Sequence, residues 1–185
     1  MKKLIIIFSC FFLLIVYMAV RENTGSSEPV YCKYVDEISH EFLVFAKSKH
    51  GLSCSGSGGA LMDRVNIISL SLDSNEQDID VEKARRLVVD CSEDYLKRVN
   101  GSEKIRPYLS HFPFTEKGVR FNISFRNPKN GAIRLVYLSN GKISYSSYNE
   151  DKSDLIDQHV ETYDEAREIV MTEGLGISQA DSALE

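Results

Sequence analysis

The chain reads as an α+β protein: a mostly antiparallel sheet ending in a C-terminal three-stranded meander, helices packed on one face, and an N-terminal transmembrane or signal helix ahead of it. Three observations carry this reading. Apolar residues recur at three- and four-residue steps over residues 30–50 and 81–99, the spacing of a helix with one buried stripe. Val119, Phe121, Ile123 and Phe125 alternate with Arg120, Asn122, Ser124 and Arg126, the period of a strand with one dry and one wet face. Asn140-Gly141 sits between two further alternating runs, where a two-residue hairpin needs positive φ twice. Long helices placed before, between and after such strands argue for helices on one side of a sheet.

Composition allows a folded core. Of 185 residues, 43% are hydrophobic and 26% charged, with 11 Gly and 4 Pro. That excludes collagen-like and low-complexity chains. A net charge of −5 announces no nucleic-acid partner.

The first element is the least like the rest. Lys2 and Lys3 precede Leu4 to Val20, a run without charge. As a helix it spans about 25 Å, enough for the short end of membrane spans. It exceeds the roughly 7–15 residues of a usual signal-peptide core. Both readings mean export, with the lysines left inside. Cleavage after Ala19 puts Tyr17 at −3, where a small residue is wanted; cleavage after Ser26 puts Thr24 there, with Arg21 and Glu22 in the cleavage region. The expectation is a retained anchor at residues 4–20, a tether at 21–28, one domain at 29–174 and a frayed tail at 175–185. The protein then sits in a bacterial inner membrane with its domain on the periplasmic side, or is secreted if cleaved near Ser26.

Within the domain, Pro29 suits the first turn of a helix and His50-Gly51 a left-handed stop. Residues 51–60, GLSCSGSGGA, read as a flexible connector. Arg64 to Leu72 reads as a strand and Asp80 as the cap of the next helix, which Asn100-Gly101 ends. Residues 102–117 hold Ile105, Tyr108, Leu109, Phe112 and Phe114, too apolar for a linker and expected as a structured cover, with Phe112 and Phe114 as core plugs. Ile133, Leu135 and Tyr137 are taken as the next strand's apolar row, and Ile143 to Tyr148 as the third strand. Thr162 and Glu165 form a capping box for a last helix.

In an oxidising compartment Cys32, Cys54 and Cys91 allow one disulfide, for which Cys32 and Cys54 are the first choice. That pairing requires the loop after the helix to fold back along it.

No set of residues announces chemistry. Gly56-Ser57-Gly58-Gly59 follows a helix and precedes a strand, the reverse of a phosphate loop. Ser57 lacks the strand–turn–helix setting of a nucleophile elbow. The four histidines have no zinc-ligand spacing. Asp73 to Asp78 starts like a calcium loop, but Asp78 stands at the sixth position and Ala84 at the twelfth. No catalytic, metal or cofactor residue is therefore assigned, and no cofactor is expected.

Charge is more informative. Lys97 to Arg134 holds nine basic and two acidic residues; Asn149 to the end holds eleven acidic and two basic. Either the two regions face each other, or the basic one is a docking face for an anionic protein or headgroup. The partner-binding candidates are Arg106, Tyr108, His111, Arg120 and Arg126.

The runs GGALMDRVNIISLSLD and EKIRPYLSHFPFTEKGV, together with the lysine-led apolar start, resemble a family of small exported bacterial proteins. The resemblance covers residues 1 to about 126 and implies no activity, cofactor or catalytic residue. The expected function is non-enzymatic binding of another envelope component. The alternatives are an envelope hydrolase using His111 or Ser57 beneath the 102–117 loop, and a secreted effector.

Overall fold

The computed structural model describes residues 28–182. The expected membrane or signal helix lies outside them. Among the described residues no helix is long and apolar enough to cross a membrane.

Helix α1 (Val30–His50) buries Tyr31, Val35, Ile38, Phe42 and Ala46, the stripe its spacing predicts. It ends on Gly51 at φ +66°, whose N–H returns to Lys47 O at 3.0 Å, a left-handed cap that a side chain would strain. Leu52 N donates to Ala46 O, so the chain passes directly into a strand.

Here the structure corrects the sequence reading. Ser53–Ala60, expected as connector, form strand β1. It pairs antiparallel with β2 (Ile67–Ser74), from Ser53 opposite Asp73 to Ala60 opposite Ile67. Glycine weakens a strand through entropy and lost packing, but a ladder needs only backbone groups. Strand β2 is a rigid partner because Ile68, Leu70 and Leu72 are buried in the core.

Helix α2 (Val81–Gly101) starts on Asp80, whose carboxylate accepts the Lys83 N–H at 2.8 Å. Strand β3 (Val119–Phe125) then lies parallel to β2, Ile68 opposite Val119. Strands β4 (Leu135–Ser139), β5 (Lys142–Tyr148) and β6 (Leu155–Thr162) follow antiparallel, and the sheet order is β1 to β6. The sheet is mixed, with a single parallel pair, and its meander has one strand more than expected. Strand β6 escapes a reading of apolar alternation because all of it except Glu161 is exposed.

One phase is also corrected. In β4 the buried residues are Val136 and Leu138, while Tyr137 is exposed. Residues 135–138 are apolar or aromatic throughout, so alternation cannot choose a face. Register does: Leu138 lies opposite Phe121 and Val136 opposite Ile123, both buried. Asn140 and Gly141 carry the expected positive φ of 51° and 72° between β4 and β5.

Helix α3 (Tyr163–Ser182) starts on the capping box, Thr162 N donating to Glu165 Oε2 at 2.8 Å and Glu165 N to Thr162 Oγ1 at 3.3 Å. It runs past residue 174, where the tail was expected, as no proline interrupts it.

The segment between α2 and β3 is a structured cover, with short 3-10 turns at Arg106–Tyr108 and Glu116–Gly118. Ile105, Leu109 and Phe114 are buried. Gly118 makes room for Phe114, since a Cβ there would stand 2.4 Å from the ring. Phe112 is not the plug expected of it: it is 53% exposed, with the Arg106 guanidinium 4.6 Å from its ring centre.

Cys32 and Cys54 are not joined. The chain does fold back along α1, but the part that reaches its first turn is 61–62: Tyr31 OH donates to Leu61 O at 3.0 Å and also to Met62 O. Leu52 is fixed to Ala46, so Cys54 stays near the other end of the helix, on the order of 20 Å away at 1.5 Å per residue. A disulfide needs Cα atoms within about 7 Å.

Candidate partner-binding surface on the sheet

The face of the sheet turned to α1 and α2 is apolar. Phe121 of β3 stacks on Phe42 of α1 (5.5 Å) and meets Tyr95 of α2 edge-on (5.7 Å). The opposite face follows from alternation and register, and it is laid out in rows across the strands. One row is Ser71, Asn122, Tyr137, Ser144 and Val160, each opposite the next. A second is Asp73, Ser124, Leu135, Ser146 and Asp157. These side chains are half-buried or exposed, apart from Ser146. The surface is hydroxyl-rich, with Tyr137 and Tyr148 standing out of it.

One corner of this face is cationic. Ser69 lies opposite Arg120, and Ser139 lies opposite Lys142. As Leu138 faces Phe121, Ser139 adjoins Arg120. Arg120 and Lys142 therefore stand two strands apart, about 10 Å at the usual inter-strand spacing. Lys117 lies against the β4–β5 turn, its Cγ 3.6 Å from where a Gly141 Cβ would be, and the Glu116 carboxylate stands beside it, with Oε1 3.4 Å from the same point. Among the described residues none of Lys117, Arg120 and Lys142 forms an ion pair. In the row beside this corner, the Asn122 side-chain oxygen is covered yet has no hydrogen-bond partner.

The sequence-derived candidates do not converge on one site. Arg120 belongs to the cationic corner. Arg126 lies at the other end of β3, about 20 Å away at 3.3 Å per residue, and its guanidinium is engaged with Asp73 at 2.7 Å. Arg106 is exposed and stacked on Phe112. Tyr108 packs between Tyr31 and Tyr34, at 5.3 and 6.2 Å. The exposed His111 is hydrogen-bonded to Ser110 and stacked on Phe114. Lys142 and Tyr137 were missed. Lys142 was legible, because a two-residue Asn-Gly turn sets it opposite Ser139. Tyr137 was hidden by the ambiguous phase of β4.

The basic and acidic regions do not neutralise each other. Arg98 pairs with Asp94 and Glu41, Lys104 with Glu37, Arg126 with Asp73 and Lys129 with Asp78. Among the described residues no ion pair joins 97–134 to 149–173.

Titratable groups also gather elsewhere, as where Glu93 of α2 accepts from Tyr163 OH (2.8 Å) and Arg167 Nε (2.7 Å) of α3. Behind β6, Glu161 accepts from Arg85 Nε (2.8 Å) and Tyr145 OH (2.6 Å), with His159 Nε2 at 3.3 Å. At the end of α1, Asp90 accepts from Lys49 Nζ (2.6 Å) and contacts His50 Nε2 (2.7 Å). Burial works against the charge of Asp90, but these two hydrogen bonds outweigh it and hold the carboxyl below its usual range. A cleft of about 540 Å³ lies beside His50, Ser74, Leu87 and Asp90. Each cluster ties an element to α2. Ser57, the other residue of the hydrolase alternative, is exposed on edge strand β1, while the hydrogen bond of His111 goes to Ser110.

No protein family, curated protein or solved structure matches this chain.

Proposed function

We propose that this protein is an exported module, held at the outer face of a bacterial inner membrane by residues 4–20, that binds another envelope component and performs no chemistry on it. The partner is an acidic protein surface that meets the helix-free face of the sheet. The supporting observation is the corner of Lys117, Arg120 and Lys142, none of them ion-paired among the described residues and together outweighing the single Glu116 carboxylate beside Lys117, on a field of hydroxyls and two tyrosines. Opposed charge across such a surface sets encounter rate and partner choice more than raw affinity. The resemblance to small exported proteins agrees with this reading.

The test is made in cells with the full chain. A photo-crosslinking residue in place of Tyr137 is expected to give a discrete adduct in the envelope fraction. The double variant Arg120→Glu, Lys142→Glu should lose that adduct while unfolding at the same temperature. No adduct, or one that survives charge reversal, overturns the proposal. Fractionation with an N-terminal mass measurement checks location: Met1-bearing protein belongs with the membrane, whereas chains starting after Ser26 and found in the medium overturn the anchor.

A further inference from the structure

A second surface stands apart from the sheet face. The first turn of α1, the 61–66 turn and the 104–112 segment are clasped together at one end of the domain. Tyr31 OH holds Leu61 O and Met62 O. Val65 N donates to Tyr108 O at 2.9 Å, and Ser110 N to Val65 O at 3.1 Å. Tyr31 and Tyr34 pack on Tyr108. These bonds tie the end together, yet two apolar side chains stand exposed on it: Met62 is 88% exposed and Phe112 53%. Folding does not account for them, since the core closes beneath them with Ile105, Leu109 and Val65 fully or nearly buried. Exposed Arg64 and Arg106 stand beside them, without ion pairs among the described residues, and outnumber the exposed Asp63 that lies between Met62 and Arg64. Apolar tips rimmed by arginine suit the boundary between anionic headgroups and acyl chains, where the tips leave water and guanidinium meets phosphate.

Chain length selects the occupant. The described chain begins at Glu28, three residues before Tyr31 and therefore at this end. Val20, the last residue of the apolar run, lies eight residues earlier. Eight residues reach at most about 28 Å. A domain on so short a lead cannot move far from the bilayer that holds its anchor, and the end nearest that lead is the one with exposed Met62 and Phe112.

We infer that this end is a membrane-docking surface: Met62 and Phe112 enter the interface of the anionic lipid leaflet, and Arg64 and Arg106 bind its phosphates. The inference rests on the proposed anchoring by residues 4–20. It orients the domain with its helix-free sheet face standing off the membrane, open to a partner.

The chain contains no tryptophan, so a single introduced indole reports one position. The full chain carrying Met62→Trp, Phe112→Trp or, as a control on the sheet face, Tyr148→Trp is reconstituted into phosphatidylcholine–phosphatidylglycerol vesicles with brominated acyl chains. All three sites are exposed and tolerate the ring. The expected result is a several-fold loss of emission at 62 and 112, little at 148, and recovery when Arg64→Glu and Arg106→Glu are added. Vesicle flotation is read on the same samples. Chains that float with unquenched indoles at 62 and 112 overturn the docking and leave the anchor standing. Chains that do not float overturn both. A concentration-dependent blue shift at 62 and 112 without quenching places a second copy of the chain on the patch, and also overturns the docking.

Discussion

At the scale of single residues the cysteines separate by environment. Cys91 is enclosed in α2, and burial pushes its thiol up to about 12. Cys54 lies exposed on edge strand β1, its Sγ 3.5 Å from Gly56 O. Only a thiolate that solvent can reach reacts quickly. A maleimide added to the native chain at neutral pH is therefore expected to label Cys54 within the first minutes and Cys91 only after denaturation, as read by peptide mass spectrometry. Equal labelling of both in the native state contradicts the burial of α2. Local chemistry at this scale was legible where one residue decides it: Gly51, Asp80, Asn140-Gly141 and Thr162 with Glu165 behave as their side chains dictate. Phe112 shows the limit. An aromatic ring in an apolar loop reads as core, and whether it faces inward depends on what already fills the space beneath it. Phe114, on its bed of Gly118, fills it.

At the scale of elements, β6 poses the clearest problem. It is an edge strand with Leu155, Ile156 and Val160 exposed, so apolar burial contributes little to holding it. Its attachment is polar: Glu161 is gripped by Arg85 of α2 and Tyr145 of β5. Burial alone would raise the Glu161 carboxyl, but the Arg85, Tyr145 and His159 hydrogen bonds outweigh that and keep it below its usual range. Its folded value is thus below the unfolded one. The stability it contributes is complete above the unfolded value of about 4.3 and is lost as pH falls through the folded value. Arg85→Ala strands a buried carboxylate and is expected to cost about 3 kcal/mol, measured by urea unfolding. Glu161→Gln should narrow its gap to the parent chain as pH drops below about 4. A gap that stays constant down to acid would remove the ionic account of β6. None of this strand was legible in the sequence, since its partners sit on α2 and β5, more than seventy and about sixteen positions away.

At the scale of the molecule, α1, α2 and the sheet meet on three rings. Phe42 stacks on Phe121 at an interplanar angle of 10°, and Tyr95 meets both edge-on, its hydroxyl 2.9 Å from Ser39 Oγ. Phe42→Ala opens a cavity that no single element can close. It is expected to cost about 3–5 kcal/mol, with one cooperative unfolding transition in calorimetry and fluorescence alike. Two separated transitions would mean that the helices and sheet do not share this core. The charge asymmetry also belongs to this scale. Opposite excesses along a chain carry no information on whether they touch. In the fold the basic residues that pair do so with α1, α2 and the β2–α2 region, and the acidic C-terminal fifth stays apart from them.

Periodicity and local caps already specified three helices, strands β2, β3 and β5, the hairpin turn and the α+β class, because those signals arise from neighbours within a few residues. They left open the parallel pairing of β2 with β3, the glycine strand β1, the charged strand β6 and the inward face of β4. Each of these is decided by a hydrogen-bonding or packing partner distant in the chain. The candidate surface divides in the same way. Arg120 could be named from alternation alone, but its cationic neighbours and the helix-free field around it exist only once six strands lie side by side.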